Sequence, residues 1–301
     1  MSTLATTAVR SRARARGATW VHVALSVFIW SFAFVGIRYG VRYYSPGALA
    51  LLRFTVASAM FAGFIVWKRD PRSMVRRATP HWRGILAMSV TGIFVYHVCL
   101  NVGELTVSAG AASLLVNTTP VFTVLLAMWF LGDRLGPVGG AGIAVAFLGA
   151  TLVSLGTGEG FSFDQGALWI TAAAVAQAIY FTVQKELLGR LGPLELTALS
   201  IWSGTLLLAV FSGQLVDALT TAPLAATLAV VSLGVGPSAI AYLSWAEVVS
   251  RIDVSRAVTY LYLVPVLAFT LGFLLLGEEP GLLSVLGGAV TLFGVALVHR
   301  R

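Results

Sequence analysis

Two stretches of this chain repeat one pattern, PVFTVLLAMWFLGD at residues 120–133 and PVLAFTLGFLLLGE at residues 265–278. Each stretch begins with Pro-Val, continues through an apolar run and ends in Leu-Gly followed by an acidic residue. They lie 145 positions apart, and the same shift aligns further residues without a gap. The aligned pairs include Gly136 with Gly281, Gly142 with Gly287 and Gly149 with Gly294. This self-similarity predicts an internal duplication of the chain.

Apolar residues dominate the sequence around these stretches. Hydrophobic residues make up 58% of the 301 positions and charged residues 11%, whereas a typical soluble domain has about 45–50% and about 25%. The apolar residues fall in many runs that are long enough to cross a bilayer, separated by polar or Gly/Pro breaks. The predicted spans are residues 20–39, 48–67, 84–103, 108–131, 138–155, 166–184, 194–215, 224–248, 254–276 and 282–298.

The sequence therefore predicts an all-α integral membrane protein of about ten transmembrane helices, arranged as two inverted five-helix repeats. A basic N-terminal tail occupies residues 1–19, the first repeat residues 20–155 and the second repeat residues 166–299. Because each repeat has an odd number of spans, the two repeats must cross the membrane in opposite directions. Such repeats allow alternating access to a site between the halves, near the middle of the membrane.

The positive charge of the chain fits a membrane topology better than a nucleic-acid partner. The formal net charge is +8 and the pI is near 10.1, but the basic residues lie in short stretches between apolar runs. With the N-terminus inside, 17 of the 20 Lys and Arg residues fall on the cytoplasmic side, above all between Lys68 and Arg83. We predict a multi-pass protein of a bacterial-type inner (plasma) membrane with both termini cytoplasmic and no nucleic-acid partner.

Several chemistries are disfavoured by what the sequence lacks. Cys99 is the single cysteine, which excludes disulfides and thiolate metal sites. The sequence has no phosphate-binding Gly-Lys-Ser/Thr loop and no set of nucleophile, base and metal ligands, so we predict neither an enzyme nor a cofactor or metal site. Every acidic residue lies in a loop or near the end of a predicted span, and the deepest are Glu104 and Glu247.

The sequence resembles EamA-type members of the drug/metabolite transporter superfamily over nearly its whole length. The resemblance rests on Trp30, Ser31 and Phe34 in the first span, on the Leu-x-x-Leu-Arg-Phe that ends at Arg53 and Phe54, and on the repeated Pro-Val to Leu-Gly-Asp/Glu module. It implies ten helices, an inner-membrane location and transport of small organic solutes, often outward. It also implies that the first and sixth helices line the substrate cavity.

The repeated prolines, Pro120 and Pro265, are candidate gating residues. A proline inside a helix frees a backbone carbonyl and bends the helix, and here this occurs at equivalent positions of both repeats. The bends either shape a cavity and its gate or only improve packing. Asn117 before the first proline, and Tyr260 and Tyr262 before the second, offer hydrogen-bonding groups at the same depth.

Polar side chains on the third and sixth predicted helices form two further candidate patches, because polar groups are costly to expose to lipid. His97 and Asn101 share one helix face, as do Gln177, Tyr180 and Gln184. His97 is either a contact between helices or a group that takes part in transport. The predicted substrate-binding residues are Trp30, Ser31, Phe34, Tyr96, His97, Asn101, Asn117, Gln177, Tyr180, Gln184, Tyr260 and Tyr262.

Arg53 is the one basic residue well inside a predicted helix. An intramembrane charge indicates function by default. Because Arg53 lies about five residues from the outer end of its helix, it can also reach the headgroups or bond backbone carbonyls. We favour the structural interpretation at this stage.

Together these features predict a secondary transporter that moves small amphipathic metabolites such as amino acids, in the direction of efflux, by alternating access. The alternatives are a facilitated-diffusion uptake permease for small metabolites and, from another class, a membrane scaffold or sensor. The expected partners are a small-molecule substrate and the lipid bilayer, and the sequence leaves open whether the protein is a monomer or a homodimer.

The charge asymmetry makes a direct prediction about topology. A cysteine placed at Ser73, in a chain whose native Cys99 is replaced by serine, should not react with a membrane-impermeant maleimide in intact cells, because the 68–83 segment lies inside. Arg42→Cys, on the predicted outer side, serves as the labelled control. Labelling at position 73 in sealed cells would mean that the orientation is inverted.

Overall fold

The computed structural model describes residues 2–68, 71–107, 109–155, 165–267 and 282–299, and every regular element in these ranges is helical. In chain order the helices are α1 (Ser2–Gly40), α2 (Pro46–Lys68), α3 (Pro71–Gly103), α4 (Ala109–Val116), α5 (Thr119–Phe130), α6 (Pro137–Leu155), α7 (Gln165–Leu188), α8 (Pro193–Thr221), α9 (Leu224–Arg251), α10 (Val254–Leu267) and α11 (Leu282–His299).

Six of the described helices are long and apolar enough to cross a membrane, namely α1 through its Thr19–Gly40 part, α2, α3, α7, α8 and α9. The shorter helices α5, α6, α10 and α11 contain apolar stretches of 10 to 17 residues. The prediction of an all-helical, multi-pass membrane protein is therefore confirmed at this level. The part of the predicted ninth helix beyond residue 267 lies outside the described residues.

Some predicted helix ends were wrong. The first predicted helix begins earlier than residue 20, since α1 runs without a break from Ser2 through the segment that we predicted as a basic tail. The predicted 68–83 loop contains a helix over Pro71–Ala78, and α8 continues past residue 215 to Thr221. The predicted ends marked where apolar residues stop. Arg, Ala and Met favour helix whether or not lipid surrounds them, so the helices continue beyond the apolar runs.

The predicted fourth helix is broken in the middle. Helix α4 ends at Val116 and α5 begins at Thr119, which places Pro120 in the first turn of α5, where no backbone N–H is needed. Two side chains at the break bond the preceding carbonyls: Asn117 Nδ2 donates to Ser113 O at 2.7 Å, and Thr118 Oγ1 donates to Leu115 O at 2.7 Å. Both carbonyls also accept a backbone N–H, Ser113 O from Asn117 N and Leu115 O from Thr118 N, so each side chain adds a second bond that closes the end of α4.

Pro265 lies in α10 just after a 3-10 segment, Val258–Tyr262, and it is buried like Pro120. In both repeated modules the proline thus follows an irregular stretch of backbone, which is a helix break before Pro120 and a 3-10 segment before Pro265.

Two helices widen into π-helical turns at matching places. In α3 the π-helical segment is Ser89–Val95, and in α9 it is Gly234–Ala241. The shift of 145 residues that aligns the repeated modules also aligns the starts of these two segments. A π-helical turn changes the backbone pairing and leaves carbonyls for side chains of other helices. In α9 the segment contains Pro237, which has no N–H to give to the helix.

Helices α6 and α11 pack backbone to backbone through glycines. A Cβ atom on Gly142 would lie 2.9 Å from Gly294 O, and one on Gly149 would lie 2.4 Å from Thr291 N and 2.8 Å from Gly287 O. The close approach lets the two helix backbones contact each other directly, as small residues do in membrane helix pairs.

This contact predicts opposite effects for two glycines of the same helix. Gly149→Ala should lower the free energy of unfolding by about 1–3 kcal/mol, because the new methyl group meets the backbone of α11. Gly140→Ala, where a Cβ meets nothing within 4 Å, is the matched control and should be neutral or stabilising because alanine favours helix. Thermal unfolding of the purified variants in detergent measures both. Equal stability of the two variants would contradict the packing.

Candidate functional site

A cavity of about 70 Å³ lies in the interior of the helix bundle, with walls from α1, α2, α3, α4, α5, α7, α9 and α10. This volume holds several water molecules. Six of the twelve predicted substrate-binding residues line the cavity: Trp30, Phe34, Tyr96, His97, Asn117 and Gln177. The other lining residues are Ala33, Ile37, Arg53, Leu100, Ser113, Val116, Thr119, Phe181, Tyr242, Leu261 and Val264.

Aromatic rings form one wall of the cavity. The Trp30 ring lies 5.9 Å from the Tyr242 ring and 5.5 Å from the Trp245 ring, measured between centroids. Its indole N–H donates to Pro237 O at 3.1 Å, so the polar edge of the ring is satisfied. Such a wall suits an apolar or aromatic part of a ligand.

A single backbone carbonyl on α3 joins two of the helices around the cavity. Gly92 O, inside the π-helical segment, accepts from Tyr242 Oη at 3.2 Å and lies 3.1 Å from His97 Nδ1. Since a carbonyl can only accept, the His97 ring must carry its proton on Nδ1 in this contact. His97 and Tyr242 are partners under the 145-residue shift, and their rings lie 6.0 Å apart. Equivalent positions of the two halves therefore meet at one point.

The shift also relates the two carbonyls that accept these bonds. Gly92 in α3 corresponds to Pro237 in α9, whose carbonyl accepts from Trp30. Both π-helical segments thus present an equivalent carbonyl to an aromatic donor.

Gln177 and Asn117 bring amide groups to the cavity. Gln177 is 5% exposed, and within the described part of the chain its Oε1 has no hydrogen-bond partner. Asn117 is 4% exposed and lies at the break between α4 and α5, where its Nδ2 is bound to Ser113 O.

Arg53 points into the protein, so the interpretation that it reaches the headgroups was wrong. It is 2% exposed and lines the cavity. Its Nε donates to Ser238 Oγ at 2.9 Å, again within the π-helical segment of α9. Among the described residues its Nη1 has no hydrogen-bond partner. Bonds to backbone carbonyls were the other alternative for Arg53, and this bond goes instead to a side-chain hydroxyl, because the turn of α9 brings Ser238 opposite α2.

Three predicted site residues on α3 and α7 lie away from the cavity. Tyr180 is fully buried and packs into the space that Gly92 leaves, since a Cβ on Gly92 would lie 2.1 Å from Tyr180 Cδ2. Gln184 Nε2 donates to Tyr180 Oη at 3.1 Å, and Asn101 Nδ2 donates to Pro46 O at 2.8 Å. These side chains bond within the bundle and do not line this cavity, and their role in substrate binding stays a prediction.

The other three predicted residues outside the cavity wall also contact neighbouring helices. Ser31 Oγ donates to Val27 O at 2.7 Å and to Val264 O at 3.3 Å. The Tyr260 ring lies 5.3 Å from the Trp20 ring, and the Tyr262 ring lies 6.4 Å from the Phe147 ring. Pro120 and Pro265 do not line the cavity either. Helical spacing placed His97 with Asn101 and Gln177 with Gln184 on shared faces, but only His97 and Gln177 line the cavity. Asn101 and Gln184 lie at other depths along the same helices and bond other groups.

Some residues that the sequence reasoning did not place at the site lie there or beside it. Tyr242 was identifiable, because it is the repeat partner of His97. Glu104 was judged to lie near a helix end, yet its side chain is fully buried, and within the described residues neither carboxylate oxygen has a hydrogen-bond partner. Arg38 donates to the backbone carbonyls of Glu104 and Leu105 and holds this turn against α1.

Comparison with known proteins agrees with this architecture. The sequence pattern of the EamA-like transporter family matches residues 16–155 and again residues 164–300. A protein solved by crystallography superposes with a TM-score of 0.75, covering 94% of this chain and 97% of that chain at 22% identity, which shows a shared fold.

Three curated relatives are similar over almost the full length. A probable terminal-alkyne amino-acid exporter of Streptantibioticus cattleyicolor is 41% identical, with 94% of each chain covered. An uncharacterized transporter of Bacillus subtilis is 36% identical over 92% of this chain and 90% of its own. A probable amino-acid metabolite efflux pump of Escherichia coli is 25% identical over 90% of this chain and 91% of its own.

The shared acceptor at Gly92 predicts energetic coupling between its two donors. His97→Phe and Tyr242→Phe should each lower the free energy of unfolding by about 1 kcal/mol, since the other donor still serves the carbonyl. The double variant should lose about 1 kcal/mol more than the sum, because the carbonyl is then left without a side-chain donor. A double-mutant cycle on thermal unfolding in detergent measures the coupling. Strict additivity would contradict it.

Proposed function

The chain belongs to the EamA-like transporter family, and from this premise we propose that it is a secondary transporter of small amphipathic metabolites such as amino acids, acting as an exporter. The observation that carries the proposal is the buried cavity, whose aromatic wall and amide groups suit a ligand with both apolar and polar parts. The proposed mechanism uses no cofactor, since it consists of binding and conformational change.

The choice of substrate class is supported by the relatives. Two proteins that resemble this chain over nearly their whole lengths are described as a probable amino-acid exporter and a probable amino-acid metabolite efflux pump. We extend that class, and the outward direction, to this chain.

We further propose that two inverted five-helix repeats provide alternating access. The matched π-helical segments and the meeting of His97 with Tyr242 support this arrangement. The glycine contacts support it as well. Gly142 approaches Gly294, and Gly149 approaches Gly287; the 145-residue shift turns the first pair into the second. Such reciprocal pairs are what a two-fold relation between α6 and α11 requires.

One contact is suited to close the cavity on the side that we predict to be cytoplasmic. Asp133, after the C-terminal end of α5, accepts from Ser255 Oγ at 2.7 Å and from Ser255 N at 3.2 Å at the start of α10. A carboxylate is favourable at a helix N-terminus, so the contact holds the ends of the two helices together. We propose that it breaks when the cavity opens on this side.

Counter-flow in proteoliposomes tests the function. Vesicles preloaded with unlabelled leucine, methionine or phenylalanine should accumulate the labelled amino acid, and Asn117→Leu should reduce the initial rate about tenfold, because a polar contact is lost while the volume is kept. Thr171→Val, which changes a polar side chain of α7 outside the cavity, is the matched control and should transport normally. Absence of counter-flow for these and other small metabolites would overturn the proposed function.

A further inference from the structure

Arg53 carries a positive charge at the cavity, and among the described residues it forms no ion pair. The ion pairs among the described residues are Arg77 with Glu195, Arg190 with Glu186 and Arg251 with Glu247, and Arg53 takes part in none of them. A guanidinium that is 2% exposed and has an unbonded Nη1 is costly to bury. An anion from outside the protein would remove that cost.

Glu104 is the internal candidate for such an anion, and the geometry argues against it. Its carboxylate is buried and has no partner in the described residues, yet it forms no ion pair with Arg53. Glu104 is also absent from the residues that line the cavity. Arg53, unlike Glu104, lines the cavity, so a ligand that occupies the cavity contacts the arginine and not the glutamate.

Gln177 offers the complementary group on the same cavity. Its buried Oε1 can only accept a hydrogen bond, and no donor reaches it within the described residues. Arg53 belongs to α2 and Gln177 to α7, so a ligand between them contacts two different helices. Trp30 and Phe34 supply an apolar surface beside these groups.

We propose that Arg53 and Gln177 bind the zwitterionic head group of an amino acid, and this inference rests on the proposed transport function. Arg53 Nη1 donates to the α-carboxylate, and Gln177 Oε1 accepts from the α-ammonium group. The apolar side chain of the substrate lies against the aromatic wall. A cationic ligand without a carboxylate is rejected, since it would meet the positive charge of Arg53.

The wild-type protein tests the role of the carboxylate without any substitution. In counter-flow, unlabelled leucine and phenylalanine should compete with labelled phenylalanine at least about tenfold better than leucinamide and phenylalaninamide, which keep the ammonium group but lack the negative charge. 3-Phenylpropionate, which keeps the carboxylate and lacks the ammonium group, should also compete less well. Amides that compete as well as the free amino acids would overturn the inference while leaving the transport function intact.

Substitution of Arg53 tests whether this residue recognises the carboxylate of the substrate. Arg53→Gln should abolish the preference for the free amino acid over the amide, whereas Arg53→Lys should keep part of it, since the charge remains. Arg83→Gln, an exposed arginine of α3 away from the cavity, is the matched control and should behave like wild type. A folded Arg53→Gln protein, monodisperse in size-exclusion chromatography, that still prefers the free amino acid would overturn the assignment.

A binding measurement separates failure of the inference from failure of the proposed function. Phenylalanine should raise the melting temperature of the purified wild-type protein in detergent, and phenylalaninamide should not. This difference, found together with no counter-flow, would overturn transport and support the site. If Arg53→Gln does not fold, the comparison of ligands on the wild-type protein and the Arg53→Lys variant test the site. Equal increases in melting temperature with phenylalanine and with phenylalaninamide would then overturn it.

Discussion

Backbone groups inside a membrane must be satisfied by the protein itself, because the hydrocarbon offers no donors or acceptors. The architecture around the cavity depends on how this requirement is met at the two π-helical segments. Gly92 O takes Tyr242 and His97 as partners, and Pro237 O takes the indole of Trp30. The bonds that satisfy the backbone therefore also orient the rings that form the cavity wall, and they tie α3 to α9 and α9 to α1.

In the binding mode that we propose, Arg53 connects this backbone arrangement to ligand recognition. Its Nε is held by Ser238, within the same π-helical segment that contains Pro237. One side of the guanidinium is thus anchored, while Nη1 has no partner among the described residues. A charge that is anchored but not neutralised is expensive in an apolar interior, and it becomes favourable when a ligand supplies the opposite charge. The residue can accordingly serve both the packing of α2 against α9 and the choice of ligand.

The duplication places equivalent residues at the cavity and at the contact between α6 and α11, and the two places differ in how much the residues have changed. His97 and Tyr242 are equivalent under the 145-residue shift, yet one carries an imidazole and the other a phenol, and both reach the same carbonyl. At Gly142, Gly149 and Gly294 the duplication instead preserves the absence of a side chain, because helix backbones approach too closely for a Cβ atom. The packing of α6 against α11 therefore requires glycine at equivalent positions of both halves, whereas equivalent positions at the cavity can carry different side chains.

Composition and periodicity by themselves determined the class of fold, since a chain with 58% hydrophobic residues in bilayer-length runs has few other ways to bury its surface. Periodicity also identified His97 and Gln177 as polar groups that had to face inward, whereas Asn117 was identified from the repeated proline and Trp30 from the family resemblance. Only the tertiary structure decided that Tyr180 and Gln184 bond each other, that Asn101 holds Pro46, and that Arg53 lies on the cavity. Helical spacing tells which residues share a face. The rotation of a helix about its axis, however, depends on contacts with residues that are far away in the sequence. The widened turns of α3 and α9 change that rotation within a single helix, and no apolar pattern records them.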